Sequence, residues 1–213
     1  ELSGYFGHMV GKIKQLMNKV RSEEVNLRKT ELRALQAQIN PHFLYNTLNS
    51  IYQLCETNPM RARAMVNFFA EYVRNNLSTL EDPGLIPFET ELAHIKTYLE
   101  IEKIRFEDTL EIEYDIKCDA FSLPVLTVQP IVENAIKHGL MGLEEGGIVT
   151  ISAYETEDAY VVEVTDDGVG FDVNAGYDET KHVGIKNIRG RIEAMCNGTL
   201  TIESKVGSGT KAT

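Results

Sequence analysis

The sequence predicts a chain in two parts, a helical half followed by an α/β sandwich built on one mixed sheet. Three observations carry this. Apolar residues recur at the helical period from Leu2 to about Arg105. Beyond residue 107 the period drops to two, as in half-buried strands. Glycine-rich loops then separate the strands from two further helices.

Taken in order, Leu2, Phe6, Met9, Ile13, Leu16 and Val20 recur at spacings of four and three, the seam of a coiled coil. The seam weakens at Glu23. It steps by five from Leu27 to Leu32 and resumes with Leu35 and Ile39, a phase break that fits a joint in a signalling helix or a merely polar stretch. Asn58-Pro59 marks a turn, and a second helix runs through Met65, Phe68, Phe69, Tyr72 and Val73 to about Leu80. A two-helix hairpin buries little, and pairing two hairpins into a four-helix bundle in a dimer would solve that. After Glu81-Asp82-Pro83-Gly84 a third helix starts near Phe88, with Leu92, Ile95, Leu99 and Ile104 as its apolar stripe. Leu110 to Ile116 alternates as a strand, and Pro124 to Gly139 reads as a helix. Strands are expected at 148–154 and 160–164, a helix from Gly184 to Met195, and strands at 200–203 and from Thr210.

The 213 residues carry 21 Lys plus Arg against 32 Asp plus Glu, a formal charge of −11. That balance argues against a nucleic-acid partner, since phosphate contacts need clustered cations. No apolar run approaches the ~18–20 residues of a membrane span. The opening at Glu1 and the stop at Thr213 read as a piece of a longer protein. Cys55, Cys118 and Cys196 are far apart, without a CxxC pair, and are expected as free buried thiols, which sets zinc and disulfide chemistry aside.

Four motifs follow in the second half. Glu133-Asn134-Ala135-Ile136-Lys137-His138 puts Asn134, Lys137 and His138 on one helical face, where amide, ammonium and imidazole suit hydrated Mg²⁺ and phosphate oxygens. Asp166-Asp167-Gly168-Val169-Gly170 follows a strand. Its carboxylate can accept from an exocyclic amine, and its glycines let backbone approach a flat ring. Val183-Gly184-Ile185-Lys186-Asn187 opens a helix whose N–H groups favour phosphate. Gly207-Ser208-Gly209-Thr210 is a glycine turn into a strand.

Together these motifs resemble the ATP-binding fold shared by gyrase, Hsp90, histidine kinases and MutL, a Bergerat-type (GHKL) sandwich. The resemblance implies that Asp166 holds the adenine amine, that Asn134 coordinates Mg²⁺, and that Lys137 and His138 face the phosphates. Gly168 and Gly170 would shape the adenine pocket, Gly184 and Ile185 cradle phosphate, and Thr210 join the Asp166 network. Residues 171–183 would form a mobile lid over ATP. The gyrase and Hsp90 branch carries a water-activating Glu four residues before the Mg²⁺ ligand. That position is Pro130 here, and Glu133 points to a different helical face, so hydrolysis by an activated water is disfavoured. With no transducer domain either, a gyrase-like or MutL-like ATPase is set aside.

An acceptor for phosphate stands in Gln36-Ala37-Gln38-Ile39-Asn40-Pro41-His42-Phe43-Leu44-Tyr45-Asn46. Pro41 would kink the helix, and the imidazole of His42 is a competent nucleophile near neutral pH. The stretch QAQINPHFLYNTLNSI, with TYLEIEKIRF, QPIVENAIKHG and GIKNIRGRI, resembles the LytS/YesM-type sensor histidine kinases of two-component systems over essentially the whole chain. That resemblance implies a homodimer in which His42 takes the γ-phosphoryl of ATP and passes it to an Asp of a response regulator. Asn46 matches the position that orients water in phosphatase action. It also implies a HAMP-like signalling helix over 1–20, dimerisation and phosphotransfer helices with a linker helix over 21–107, and a catalytic domain over 108–213. An upstream transmembrane sensor would anchor the full-length protein, with this portion on the cytoplasmic side. Phe43 stands where commoner histidine kinases carry an acid. It is the main support for the alternative, a nucleotide-binding signalling scaffold without kinase activity. Of the other histidines, His94 and His8 are expected at the surface, and His182 in the lid.

Overall fold

The computed structural model describes residues 41–78, 84–107, 109–141, 143, 146–172 and 183–213. The coiled-coil seam and its phase break, the HAMP-like helix, His8, His182 and nearly all of the expected lid lie outside the described residues. The chain divides into two compact units, residues 1–46 and 47–213.

Helix α1 spans Pro41–Thr57 and helix α2 spans Pro59–Ser78, with Asn58 alone between them. The break falls where the Asn-Pro pair predicts it. Pro59 has no N–H to donate, and the Asn58 side chain accepts from the N–H of Arg61 at 3.1 Å, capping the second helix. Strand β1, Leu85–Pro87, pairs antiparallel with β3, Ser122–Pro124. Between them lie helix α3, Phe88–Arg105, and strand β2, Leu110–Ile116.

Helix α3 is more than the striped linker its sequence suggests. Phe88, Leu92, Ile95 and Leu99 are buried on one side, and Tyr98 and Ile101 on the other. A helix buried on so much of its circumference must pack on several neighbours. It does so against α2, β1, β2 and the helix that follows β3. Each fully buried Ile or Leu here contributes about 1.5–3 kcal/mol. Polar residues share this interior. Arg105 Nη1 donates to both oxygens of the buried Glu102 carboxylate at 2.7 and 2.8 Å. Burial pushes that carboxyl up, and Arg105 opposes the shift. His94, expected at the surface, is half-buried; burial lowers its pKa and Glu71 pulls it back up.

The expected helix over 124–139 begins late. Pro124 is still in β3, and Leu126 takes the left-handed region at φ 55°, which no helix accommodates. Helix α4 therefore runs only from Gln129 to Asn134, and its backbone then widens into a π-helical segment, Ala135–Leu140. The N–H of Met141 reaching the carbonyl of Ile136 at 2.9 Å closes one such wide turn.

The remaining strands are β4, Gly147–Glu155; β5, Tyr160–Asp166; β6, Ile202–Ser204; and β7, Thr210–Ala212. The sheet order is β2-β4-β5-β7-β6, parallel between β2 and β4 and antiparallel elsewhere, the mixed sheet expected. Helix α5, Val183–Cys196, packs near β3. Val149, Ile151 and Ala153 alternate inward from β4 and are fully buried. All three cysteines are free, as expected, but Cys55 and Cys196 are exposed and Cys118 is half-buried. They sit on an outward helix position, at a helix end and just after β2, not in the core. Among the described residues no helix is long and apolar enough to cross a membrane.

Candidate nucleotide site

Strand β5 ends at Asp166, whose side chain is buried, only 4% exposed. Its Oδ1 accepts from the N–H of Gly168 at 3.0 Å, and the backbone of Thr210 also bonds the carboxyl. Burial raises this carboxyl above its ordinary range, against the pull of those two N–H groups. The π-helical segment passes directly beside it. A Cβ placed on Gly139 would lie 2.5 Å from Asp166 Oδ1. The Gly139 carbonyl accepts from the N–H of Val169 at 3.0 Å. A Cβ on Gly168 would in turn strike the Gly139 carbonyl. Two glycines thus allow backbone to rest on backbone and fix where the Asp166 carboxylate stands.

A pocket of about 400 Å³ opens there. Asn134 and His138 line it from α4 and its π extension, and Gly184 and Ile185 from the first turn of α5. Asp166, Gly170 and Thr210 complete the polar part, and Ile131, Val164, Phe171, Ile202 and Ala212 supply apolar wall. Gly170 takes φ 56° where the backbone of Lys205 and Gly209 crowds it, a position only glycine fits without strain. The Thr210 hydroxyl lies 3.0 Å from that of Ser204, so Thr210 meets Asp166 through its backbone.

Two of the expected site residues fall elsewhere. Lys137 is exposed and does not line the pocket. The widened helical turn after Asn134 displaces the regular i, i+3, i+4 register on which that expectation rested. Gly168 acts as the spacer against Gly139 and is not part of the lining. Glu133 turns away from the pocket: its Oε1 accepts from Gln129 Nε2 at 3.0 Å, and its charge adds to the burial that raises the Tyr72 and Tyr98 hydroxyls. No pocket-lining residue on α4 is therefore a carboxylate.

The backbone contact offers a measurement. Gly168→Ala is expected to destabilise the chain by about 3 kcal/mol or more, because the π-helical backbone at Gly139 cannot yield to a methyl group. Gly190, on α5 with nothing within 4 Å, is the control. Its change to alanine is expected to be neutral or to stabilise by up to about 1 kcal/mol. Urea unfolding of the two variants checks both.

The pocket fits a nucleotide. A buried acceptor stands at one part of an apolar slot, and another part is formed by helix α5, whose first-turn N–H groups have no acceptor within the helix. Among the described residues no group of three or more His, Cys, Asp or Glu could hold a metal ion. A Mg²⁺ here would use the Asn134 amide oxygen and take its other ligands from phosphate and water, as its coordination allows.

Outside this pocket, His42 is exposed on α1 and Asn46 stands one turn later. The Asn46 amide nitrogen lies 3.2 Å from His42 Nε2 and 3.3 Å from Nδ1, so it can donate to whichever ring nitrogen carries the lone pair. Phe43, directly after, is buried at 4% exposure and supplies no proton acceptor.

Comparison with known proteins adds the family. The family described as "Histidine kinase" matches residues 30–110. The family described as "Histidine kinase-, DNA gyrase B-, and HSP90-like ATPase" matches residues 122–213. The uncharacterised protein YwpD of Bacillus subtilis (strain 168) is 37% identical over 84% of this chain and 67% of its own length. The sensor histidine kinase YesM of the same strain is 34% identical over 90% of this chain. The chain belongs to the LytS/YesM-type sensor histidine kinases. The sensor histidine kinase YpdA of Escherichia coli (strain K12) is 39% identical over 78% of this chain. The chain spans 33% of YesM and 31% of YpdA. In this histidine kinase the helices precede an α/β sandwich of the GHKL ATPase type, the order the sequence predicts.

Two residues that touch the site's framework are not announced by the sequence of this chain. Glu91 looks like an ordinary acid in the first turn of α3, and Arg191 like a surface cation of α5. Both bond the loop before α4, and only the left-handed turn at Leu126, invisible in the residue types, brings them there.

Proposed function

We propose that this chain is the transmitter portion of a sensor histidine kinase, which binds ATP in the pocket at Asp166 and transfers the γ-phosphoryl group to His42. The observation that carries this reading is the pocket itself. It offers a buried amine acceptor, a helix N-terminus for phosphate and, among the described residues of α4, no carboxylate placed to activate water.

The adenine amine would donate to Asp166, with Gly170 permitting the ring's approach. Asn134 and His138 would face the phosphate end, with Gly184 and Ile185 offering main-chain N–H groups. Mg²⁺, held by Asn134 and the phosphates, would neutralise charge developing on the transferred group. Lys137 would reach a phosphate only by a change of its exposed rotamer. A lone pair of the His42 imidazole attacks the γ-phosphorus while the bond to the bridging oxygen breaks, and ADP leaves with that electron pair. The ring proton goes to solvent or to a base outside residue 43. Such a transfer asks mainly for alignment and charge stabilisation from the protein. The phosphoramidate then passes its group to an aspartate of a response regulator. Asn46, within reach of the ring, is the residue to orient the attacking water when such a protein acts as a phosphatase.

The functional unit would be a homodimer. Leu48 and Tyr52 on α1, and Val66 and Leu77 on α2, are apolar and exposed at helical spacings, as a four-helix bundle between two copies requires. Residues 1–20 would bring a HAMP-like coiled-coil signal to the phosphotransfer helices of 21–107, and the catalytic domain would occupy 108–213. A transmembrane sensor elsewhere in the full-length protein would hold this portion at the cytoplasmic face of the membrane. The buried Phe43 favours one second reading, a nucleotide-binding signalling scaffold without transfer.

Incubation with γ-labelled ATP and Mg²⁺, followed by acid and alkali challenge, tests the proposal. Label that survives alkali and is lost in acid is the expected result, because a phosphoramidate is acid-labile. ATP binding without any label would favour the scaffold.

A further inference from the structure

The loop 125–129 is gripped from two sides by charged side chains that the nucleotide reading leaves unused. Leu126, at φ 55°, turns the loop so that its N–H groups face one way and its carbonyls another. On the first side stands Glu91 of α3, 1% exposed. Its Oε2 accepts from the N–H of Leu126 at 2.9 Å, and its Oε1 from those of Val128 and Gln129 at 2.9 and 3.2 Å. On the second side Arg191 of α5 donates from Nη1 to the Val125 carbonyl at 2.8 Å and from Nη2 to the Leu126 carbonyl at 2.6 Å.

Each grip belongs to one wall of the pocket. Gln129 opens α4, so Glu91 serves as the N-terminal cap that the helix does not supply for itself. One turn further on, α4 presents Asn134, and its π extension presents His138. Arg191 lies seven residues after Gly184 on α5, on the same helical face, with the buried Ile188 between them. The same face thus lines the pocket, enters the core and ends on the loop. Burial raises the Glu91 carboxyl, against the pull of the backbone N–H groups it accepts from, and lowers the Arg191 guanidinium, against the pull of Glu91. Each satisfies loop backbone groups that an apolar side chain would leave unpaired, and so fixes where the loop stands.

We infer that Glu91 and Arg191 are positioning residues that set the separation of α4 and α5, the two helical walls of the nucleotide pocket, through loop 125–129. The inference rests on the nucleotide reading proposed above. Arg191 then contributes to nucleotide affinity without touching the nucleotide.

Calorimetric titration of the whole 213-residue chain with ADP, which transfer cannot consume, tests this at a temperature well below unfolding. R191M is expected to weaken ADP binding about tenfold, the scale of a single charge-assisted hydrogen bond, since the rest of the lost pair falls on stability. R191K keeps the charge but reaches one carbonyl instead of two, so a smaller loss is expected. It carries the test if R191M does not fold. A purely structural role would lower the unfolding temperature and leave the affinity of the folded protein unchanged. E91Q sets an amide N–H₂ against backbone donors, and if both residues act through one loop, E91Q/R191M binds no more weakly than the worse single variant. Parental affinity in the folded Arg191 variants, or losses that multiply in the double variant, overturns the inference. Failure of the parent chain to bind ADP overturns the nucleotide reading itself, a separate outcome.

Discussion

Replacing His42 by alanine is expected to abolish acid-labile labelling by γ-labelled ATP and to leave ADP affinity unchanged. The two halves of that result test different things. Loss of label follows if the only nucleophile in the transfer is the exposed imidazole on α1. Retained affinity follows because no side chain lining the pocket belongs to α1. Labelling that persists in the variant would move the acceptor to another residue and remove the role assigned to His42. His42→Gln makes a sharper companion. It keeps a polar group beside the Asn46 amide but offers no nucleophile, so it should behave as the alanine variant does in labelling.

The second large effect is expected at Asp166. In Asp166→Asn the amide oxygen can still accept from Gly168, which leaves the amide nitrogen facing the pocket. A donor then meets the donor of an adenine amine at a buried position. ADP affinity should fall on the order of 100-fold or more. Stability should move the other way. Because burial holds the Asp166 carboxyl above its ordinary 3.8, the folded chain binds this proton more tightly than the unfolded chain does. The stabilising contribution of the group is present below 3.8 and is lost as pH rises through the raised value. Above the raised value the parent therefore carries a desolvated charge that the asparagine variant lacks. The variant is expected to melt at the same temperature as the parent or higher at pH 7, with the difference vanishing toward pH 4. Lower stability at neutral pH together with unchanged ADP affinity would remove Asp166 from the site.

The contrast between Asp166 and Arg191 explains what can be read from residues alone. Asp166, Gly170, Gly184, Ile185 and Thr210 announce themselves because each sits at the end of an element that the local pattern already defines. Strand period, glycine and polar residue coincide within a few positions. The site of Lys137 depended on a regular helical turn, and no residue type in Ala135-Ile136-Lys137-His138-Gly139-Leu140 announces that the backbone widens there. Glu91 and Arg191 are one hundred positions apart, and their meeting depends on one left-handed residue in a loop that the pattern extends as helix. Short-range order was legible where periodicity and motif agree. Long-range polar partners were not, since charge on a helix reads as a solvated face until the packing of its neighbours is known. Leu92, Ile95 and Leu99 of the stripe assigned to α3 are buried as expected, but the stripe is too narrow for the same reason. Tyr98, Glu91 and Glu102 look like the wet side of an amphipathic helix, yet all three are buried.

That helix also bears on how a protein of this design can be reassembled from parts. Helix α2 packs on α3, and α3 packs in turn on α4 and β2. A recombination junction placed between Phe88 and Leu110 would therefore divide residues that share one interior, and a transplanted sandwich would arrive with its floor missing. Lineages that exchange input modules while keeping a working transmitter would have to join them upstream of α1, which carries His42. The inheritable module is longer than its nucleotide motifs, and its first indispensable residues precede those motifs by several helical turns.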